Sequence, residues 1–312
     1  IENFPISGVT HSSEFLDSYL IIKKTAAKTN MKLKLLDKKL ALVIMKSADE
    51  ILAGKFRDQF VVDVFQMGAG TSFNMNCNEV LANRSNQLLK KNLGEYDPIN
   101  PNDHVNMSQS TNDTFPTAMR LSILFTIVDL EEELKLLSLS FRDKSKQFDK
   151  IIKSARTHLQ DAVPITLGQE FKAYSHTIDK CLKDIQYHKK QLYVLGMGGS
   201  AAGTGINTHH KYSKQVVHEL SLETGLPLKL SKDLRASMQS QQDIASLSSC
   251  FKNLSLELTR ISNDLRLLSS GPKTGFSEIS LPAVAPGSSI MPGKVNPSML
   301  EMMNMVCFHV IG

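Results

Sequence analysis

Hydrophobic side chains recur at alternating steps of three and four residues along three long segments of the chain. The first segment carries them at Ile123, Ile127, Leu130, Leu134, Leu137 and Phe141. A looser series runs from Phe171 to Leu192, and an unbroken one runs from Leu247 to Leu268. This spacing aligns the side chains as one stripe along an α-helix. The pattern predicts three helices of roughly 30 to 35 residues, each about 50 Å long.

Narrow apolar stripes of this kind are typical of helices that pack side by side in bundles and coiled coils. Helices this long exceed the width of a compact domain, which favours packing across subunits. Strand signals are weak, and residues 59–65 are the best candidate for a short extended segment. We therefore predict a mainly α protein built as an elongated, oligomeric bundle of long helices.

The connections between the helical segments are polar and rich in glycine and proline, at residues 68–76, 108–117, 155–170 and 287–297. Ser110 to Asp113 are good N-cap residue types, and Thr166 followed by Gln169 fits a capping box. One interpretation is that these residues only cap helices. The alternative is a binding site, because helix N-termini present free N–H groups and positive potential to a carboxylate. Several such helix ends near one lysine would bind a small dianion.

Composition narrows the function classes. The 312 residues are 41% hydrophobic and 21% charged, with a net charge of +5 and no long basic block, so nucleic acid is not an expected partner. No apolar run reaches the roughly 18 residues that span a bilayer. The four cysteines form no CxxC pair and the histidines no HExxH, which predicts free thiols and no zinc site.

The connection "GSSIMPGKVNP", residues 287–297, contains the lysine best placed for such a site. Its spacing does not fit a phosphate-binding loop, because five residues separate its glycines and Val295 follows Lys294. The chain has no GxSxG nucleophile elbow. The glycine-rich run at residues 196–205 lacks the GxGxxG pattern, so we expect it to allow close backbone packing instead.

These residues resemble the fumarase/aspartase superfamily of lyases, and the connection at residues 287–297 is similar to its signature; we call it the signature loop. Further blocks resemble the family in the same order: "GAGTSFNMNCNEV", "NPNDHVNMSQSTND", "THLQDAVPITLGQEF" and "NDLRLLSSGPKTGFSEISLP". The resemblance runs nearly from end to end. It implies a β-elimination, in which a proton leaves the carbon next to a carboxylate and a group leaves the neighbouring carbon.

The resemblance also implies roles for individual residues. Ser288 would be the general base, acting as its alkoxide, and His158 would lie at the leaving-group end. Lys294 and Asn296 would bind one carboxylate, with Thr157 nearby and Ser289 in a supporting contact. The other carboxylate and the leaving group would be held by Thr71, Ser110, Thr111 and Asn112. Taken outside the matched block, His158 would more often be a structural histidine.

The expected architecture follows from the same resemblance. Residues 1–108 would form a smaller N-terminal helical domain whose start is missing, and residues 109–312 the central bundle without its C-terminal part. The family assembles as homotetramers with sites built from three subunits. Its chemistry requires no metal or organic cofactor, although a divalent activator is compatible with it. We expect no membrane or nucleic-acid partner and a cytoplasmic location, with mitochondria as the alternative.

The sequence is compatible with two reactions of this family. Asn100 and His104 favour elimination of ammonia from L-aspartate to give fumarate. Gly293 favours the alternative, hydration of fumarate to L-malate. A third hypothesis is a catalytically silent structural relative. Such a protein would be free to lose Ser288, Lys294 or His158, and all three are present.

Overall fold

The computed structural model describes residues 2–312 of the chain. Its main helices and strands follow in chain order: α1 (Ser13–Lys32), α2 (Lys38–Leu52), α3 (Thr71–Leu88), α4 (Thr111–Gln147), β1 (Ile152–Thr157), β2 (Gln160–Thr166), α5 (Leu167–Lys189), β3 (Val194–Leu195), α6 (Tyr212–Thr224), β4 (Lys229–Leu230), α7 (Leu234–Gln239), α8 (Gln242–Leu268) and α9 (Ser298–Ile311). A short π-helix spans Pro101–Val105. The prediction of a mainly α fold with long helices is confirmed. Among the described helices, none is both long and apolar enough to cross a lipid bilayer.

The chain divides into two compact units, each made of two separate stretches of sequence. The first unit combines the chain up to Val128 with Lys190–Ile244, and the second combines Asp129–Lys189 with Ala245–Gly312. The separation into domains at residue 108 stays a prediction.

The first unit is built around α1, which packs against α2 and α6. Its apolar side chains Leu20 and Ile22 are fully buried, and each such side chain contributes roughly 1.5 to 3 kcal/mol. An aromatic cluster adds to this core, with ring centroids 4.4 to 6.4 Å apart among His11, Phe15, Tyr19, Phe60, Phe73 and Phe115. Glu219 of α6 pairs with Lys28 of α1, which fixes the two helices to each other.

The second unit contains α5, most of α8 and the C-terminal part of α4. The predicted stripes lie on the buried faces of α5 and α8, for example at Ile178 and Ile261, although Cys181, Phe251 and Leu258 are half-buried. The helices differ in length from the expectation, because α4 has 37 residues, α5 has 23 and α8 has 27. Helix α5 begins at Leu167, directly after Thr166, which forms the predicted capping box with Gln169: the Gln169 backbone N–H donates to Thr166 Oγ1, and the Thr166 backbone N–H donates to Gln169 Oε1.

Helix α4 buries a different stripe from the one predicted. Leu134 and Phe141 are buried as expected, but the buried positions three residues before each of them are polar, Glu131 and Ser138. Glu131 pairs with Lys189, and Ser138 donates to Asp179, so both polar groups are satisfied. Leu130 and Leu137, which the period placed in the core, are only half-buried.

The sequence reading missed a β-hairpin. Strands β1 and β2 pair antiparallel from Ile152 opposite Thr166 to Thr157 opposite Gln160, with a bulge near Ala155. Their apolar residues face solvent, since Ile152 is 77% exposed, so no buried face produced a period-two signal. The predicted extended segment at residues 59–65 forms no strand, but Asp63 makes an isolated antiparallel bridge to Thr10, and Val64 N donates to the Val9 carbonyl at 2.9 Å.

Candidate active site

The starts of helices α3 and α4 carry four of the predicted binding residues. Helix α3 begins at Thr71, and its N-cap is Gly70 in the left-handed region at φ 73°. The Thr71 hydroxyl donates to the Gly68 carbonyl at 3.2 Å. A Cβ atom on Gly70 would lie 2.0 Å from Phe115 Cδ2, so the first turn of α4 packs directly on the start of α3. The two helix starts, which carry Thr71 and residues 110–112, are therefore brought together.

Ser110 caps α4 as the sequence predicted. Its hydroxyl accepts a hydrogen bond from Asn112 N at 3.2 Å, and its own N–H donates to Asp113 Oδ1 at 2.9 Å. Thr111 is 9% exposed. Asn112 is exposed and donates through Nδ2 to the Ala201 carbonyl at 2.8 Å. Capping by Ser110 and binding of a carboxylate are compatible at this helix start, because a cap satisfies only some of its free N–H groups.

Asp113 links the start of α4 to the glycine-rich run at residues 196–205. Its Oδ2 accepts hydrogen bonds from Gly198 N and Ser200 N, both at 3.0 Å. Burial raises the pKa of Asp113 to about 6, although these backbone donors and Lys23 oppose the rise. The expected close packing is present here, because a Cβ on Gly198 would lie 2.5 Å from the backbone of Ser213. Sequence reasoning identified Asp113 only as a capping residue type.

The predicted residues Thr157 and His158 lie at the tip of the β1–β2 hairpin, in the second unit. His158 and Leu159 form its two-residue turn with φ values of 52° and 63°. Two successive positive φ values are those of a type I′ turn, and histidine adopts this region more readily than most residues. Thr157, His158 and Leu159 are all exposed, so the hairpin presents the imidazole to solvent in this chain.

The signature loop folds back on itself in a narrow turn. Ser288 N donates to the Lys294 carbonyl at 3.1 Å, and Gly287 and Pro292 form an isolated bridge. A Cβ on Gly287, at φ +108°, would lie 2.8 Å from the Lys294 oxygen. The turn therefore requires the glycine and brings Ser288 beside the backbone of Lys294.

Two of the predicted side chains in the signature loop are in contact. Lys294 Nζ donates to Asn296 Oδ1 at 2.9 Å, which places an ammonium and an amide side by side. The Ser288 hydroxyl is half-buried and accepts a hydrogen bond from Ile290 N at 3.4 Å. Ser289 and Lys294 are exposed. The loop thus offers a hydroxyl, a cation and an amide to a bound anion.

A cluster of charges that the sequence reading did not identify supports the hairpin. Lys153 Nζ of β1 lies 2.9 Å from Glu170 Oε1 and 2.8 Å from Glu278 Oε2. Arg156 also pairs with Glu278, and its guanidinium lies 4.1 Å from the centroid of Phe276. Arg156 directly precedes Thr157 and His158, so Glu278 fixes the strand that carries them. The sequence signal was limited to Glu170, Phe276 and Glu278, which lie in two of the matched blocks.

The ten predicted residues thus fall into three groups: the two helix starts in the first unit, and the hairpin tip and the signature loop in the second. Within residues 2–312, no group of three or more His, Cys, Asp and Glu side chains is arranged to hold a metal ion.

The fold and the matched motifs together indicate the class of helical lyases, and comparison with known proteins agrees. A family model described as "Lyase" matches residues 1–312. The chain is 48% identical over 311 residues to an aspartate ammonia-lyase of Bacillus subtilis (strain 168), covering 100% of this chain and 66% of that protein. It thus spans slightly less than two thirds of that relative's length.

Two solved structures are also similar over the whole chain. A fumarate lyase:delta crystallin from Brucella melitensis, bound to cobalt, has a TM-score of 0.95 at 45% identity, with 68% of its chain covered. A recombinant class II fumarase from Schistosoma mansoni has a TM-score of 0.96 at 36% identity, with 69% covered. The chain belongs to this lyase family, the fumarase/aspartase superfamily.

Proposed function

We propose that the protein to which this chain belongs eliminates ammonia from L-aspartate to give fumarate. The observation that carries the reaction class is the narrow turn of the signature loop, which holds Ser288 against the backbone of Lys294 while Lys294 contacts Asn296. The observation that favours ammonia is the 48% identity to an aspartate ammonia-lyase along the whole chain.

In the proposed reaction, Ser288 as its alkoxide takes a proton from the carbon next to one carboxylate. The electron pair of that C–H bond forms the new double bond, and the C–N bond breaks to release ammonia, so the proton on Ser288 and the ammonia together account for the ammonium product. Lys294 and Asn296 stabilise the charge that develops on the carboxylate. Donors aimed at such developing charge each lower the barrier by roughly 3 to 4 kcal/mol.

The remaining predicted residues complete the proposed site. Thr71, Ser110, Thr111 and Asn112 would bind the second carboxylate at the two helix starts. His158 would lie at the leaving-group end, with Thr157 near the first carboxylate and Ser289 in support. No metal or organic cofactor is needed for this mechanism.

The assembly is part of the proposal. Helix α9 is apolar on most of its surface, and its exposed residues include Met299, Met302, Met305, Val306 and Phe308. A helix that is hydrophobic all round is normally buried. We propose that further copies of this chain cover α9 in a homotetramer with sites built from three subunits. A cytoplasmic location stays a prediction that fractionation of cells can test.

Hydration of fumarate to L-malate is the second candidate, favoured by Gly293 and by the likeness to a class II fumarase. The test is the ultraviolet absorbance of fumarate after L-aspartate or L-malate is added separately to the full-length protein. We expect fumarate from L-aspartate. A signal from L-malate alone would replace the first proposal with the second, and a signal from neither would favour a non-catalytic role.

A further inference from the structure

Helix α1 contains a lysine that is fully buried in the first unit. Lys23 is 0% exposed, and its Nζ donates to Asn74 Oδ1 at 2.8 Å and to Asn106 Oδ1 at 2.9 Å. The ammonium also lies 5.5 Å from the centroid of the Tyr19 ring. Both hydrogen-bond acceptors are neutral amides, and within residues 2–312 no carboxylate forms an ion pair with Lys23. Lys23 is therefore a buried cation without a direct counter-ion.

Such an arrangement is energetically unfavourable unless something compensates the charge. Burial lowers the pKa of Lys23 to about 8, against the opposing influence of Cys77 and Asp113. The titratable groups around it are Tyr19 of α1, Cys77 of α3 and Asp113 of α4, with Tyr212 of α6 facing Asp113. Burial raises the pKa of Tyr19, Cys77 and Tyr212, so these three groups are neutral near pH 8.

The one anion in this surrounding is already engaged. Both oxygens of Asp113 accept backbone N–H groups, from Ser110 on one side and from Gly198 and Ser200 on the other. Asp113 therefore stabilises the start of α4 and the glycine-rich run. It makes no ion pair with Lys23 that would compensate the charge of the lysine.

The contacts of Lys23 lead to the two helix starts. Asn74 lies in the first turn of α3, three residues after Thr71. Tyr19 donates to the same Asn74 oxygen at 3.1 Å and shares a hydrogen bond of 2.8 Å with Thr114 in the first turn of α4. The ammonium thus contacts the first turn of α3 directly, through Asn74, and is connected through Tyr19 to Thr114 in the first turn of α4.

We propose that Lys23 is a positioning residue that orders the first turns of α3 and α4 and serves as the buried counter-charge for one carboxylate of a dicarboxylate bound there. This inference rests on the proposed function, because it assumes that the two helix starts bind a substrate carboxylate. An arriving anion would add negative charge near Lys23, beyond that of Asp113, which makes no ion pair with it. In a poorly solvated surrounding, that attraction is screened far less than at the surface.

The proposal has a linked proton effect with a defined sign. A nearby anion favours the charged form of a lysine, so binding raises the pKa of Lys23 above its value of about 8 in the free protein. Binding then takes up protons around and above pH 8, and affinity falls as pH rises through that range. An unperturbed histidine or lysine would produce such uptake near pH values of about 6.5 or about 10.4 instead.

The experiment compares Lys23→Met with the full-length wild type and uses succinate, a dicarboxylate that cannot eliminate. Calorimetry at pH 7 and pH 9 gives the Kd, and titrations at pH 8.5 in two buffers of different ionisation enthalpy give the protons taken up. Lys24→Met is the matched control, because the neighbouring Lys24 pairs with Asp49 and Glu223 and contacts neither helix start.

We expect the wild type and Lys24→Met to bind succinate up to about tenfold more weakly at pH 9 than at pH 7, with proton uptake at pH 8.5. Lys23→Met should bind at least about tenfold more weakly at pH 7 and take up no protons. A Lys23→Met variant that binds like the wild type overturns the proposal, as does a wild type without proton uptake.

The wild-type measurement decides the question even where Lys23→Met does not fold. Wild-type protein that releases fumarate and binds succinate without proton uptake sinks only the role of Lys23. Wild-type protein that melts cooperatively but neither binds succinate nor releases fumarate from either substrate overturns the proposed function together with this inference.

Discussion

The ring of Phe115 occupies the space that a side chain on Gly70 would need. A Cβ there would lie 2.0 Å from Phe115 Cδ2, and Gly70 also has a φ of +73°. The contact joins the first turn of α4 to the start of α3, and with them the two groups of residues proposed to bind one carboxylate. The glycine of "GAGTS" is therefore required for packing as well as for backbone conformation.

Gly70→Ala should lower the free energy of unfolding by roughly 2 to 4 kcal/mol, because overlap with the ring adds to the strain of a positive φ. It should also weaken succinate binding if relief of the overlap separates the two helix starts, which this contact holds together. Chemical denaturation and calorimetry measure the two effects.

Two other glycines separate the causes. Gly54 also has a positive φ, but a Cβ there would have no atom within 4 Å, so Gly54→Ala should lower the free energy of unfolding by about 1 kcal/mol. Gly68 has neither a positive φ nor an atom within 4 Å of a Cβ, so the free energy of unfolding of Gly68→Ala should stay within about 0.5 kcal/mol of the wild-type value. A loss at Gly70 no larger than that at Gly54 would show that the contact with Phe115 is unimportant.

The lowered pKa of Asp63 predicts how acid affects the N-terminal segment. Burial alone would raise its pKa, but N–H donors of Ser7, Gly8 and Phe65 and the Ser7 hydroxyl outweigh burial and lower the pKa to about 2. Because the folded pKa lies below the unfolded value, this stabilisation is present above about pH 4 and is lost as pH falls towards 2.

Proteolysis or hydrogen exchange of residues 5–9 between pH 5 and pH 2 measures the effect. We expect the segment to open in acid before the core of the first unit does. Asp63→Ala should open the same segment at neutral pH. A segment that stays protected in this variant would contradict the assignment.

Glu278→Gln tests the charge cluster behind the hairpin. The substitution removes the negative charge shared by Lys153 and Arg156 while keeping the size of the side chain. We expect a loss of roughly 1 to 3 kcal/mol in stability, because hydrogen bonds to charged groups have about that value. Turnover should fall further than stability explains, since Arg156 adjoins Thr157 and His158.

Glu257→Gln is the matched control, because Glu257 pairs with Arg260 on the exposed surface of α8. Such surface pairs contribute between about 0 and 1 kcal/mol. Equal effects of the two substitutions on kcat would rule out a special role for Glu278.

Ser288→Ala should lower kcat by at least about 100-fold, the low end for loss of a positioned base. The turn itself should survive, because it is held by the Ser288 N–H, which alanine retains. Ser249→Ala on the surface of α8 is the control, since its hydroxyl only binds the Ala245 carbonyl. Near-normal turnover of Ser288→Ala would remove Ser288 from the mechanism.

Phe308→Glu tests the proposed assembly through α9. Phe308 is 59% exposed in the single chain, and a carboxylate there should be incompatible with a buried interface. Light scattering after gel filtration should show a smaller mass than for the wild type. Leu222→Glu, at a residue of α6 that is 63% exposed, is the control and should keep the wild-type mass.

The outcome also identifies what covers α9. A wild-type mass with a lowered melting temperature would indicate that another part of the same chain covers the helix. Unchanged mass and melting temperature would contradict burial of α9 altogether.

Several features could be predicted from the sequence because their causes are local. The capping box of Thr166 and Gln169 needs only four residues, and the cap at Ser110 needs only its own helix start. The helical stripes of α5 and α8 could also be predicted, since the spacing of their apolar residues follows the helical period of 3.6 residues per turn.

Other features depend on partners that are distant in sequence. The period along α4 was correct, but its buried face was not, because Lys189 and Asp179 satisfy the buried Glu131 and Ser138. The hairpin was missed because Ile152 and Val163 face solvent, so its strands show no apolar alternation.

The sequence by itself determined the helical class, the local caps and the family of this protein, since periodicity, capping and motifs act over short stretches of chain. Only the tertiary structure decided that Lys23 is buried against the amide oxygens of Asn74 and Asn106, that Asp113 accepts hydrogen bonds from Gly198 and Ser200, and that Phe115 packs on Gly70. Burial and the sharing of charge arise between segments far apart in the chain, and their energy depends on distances that no local pattern encodes.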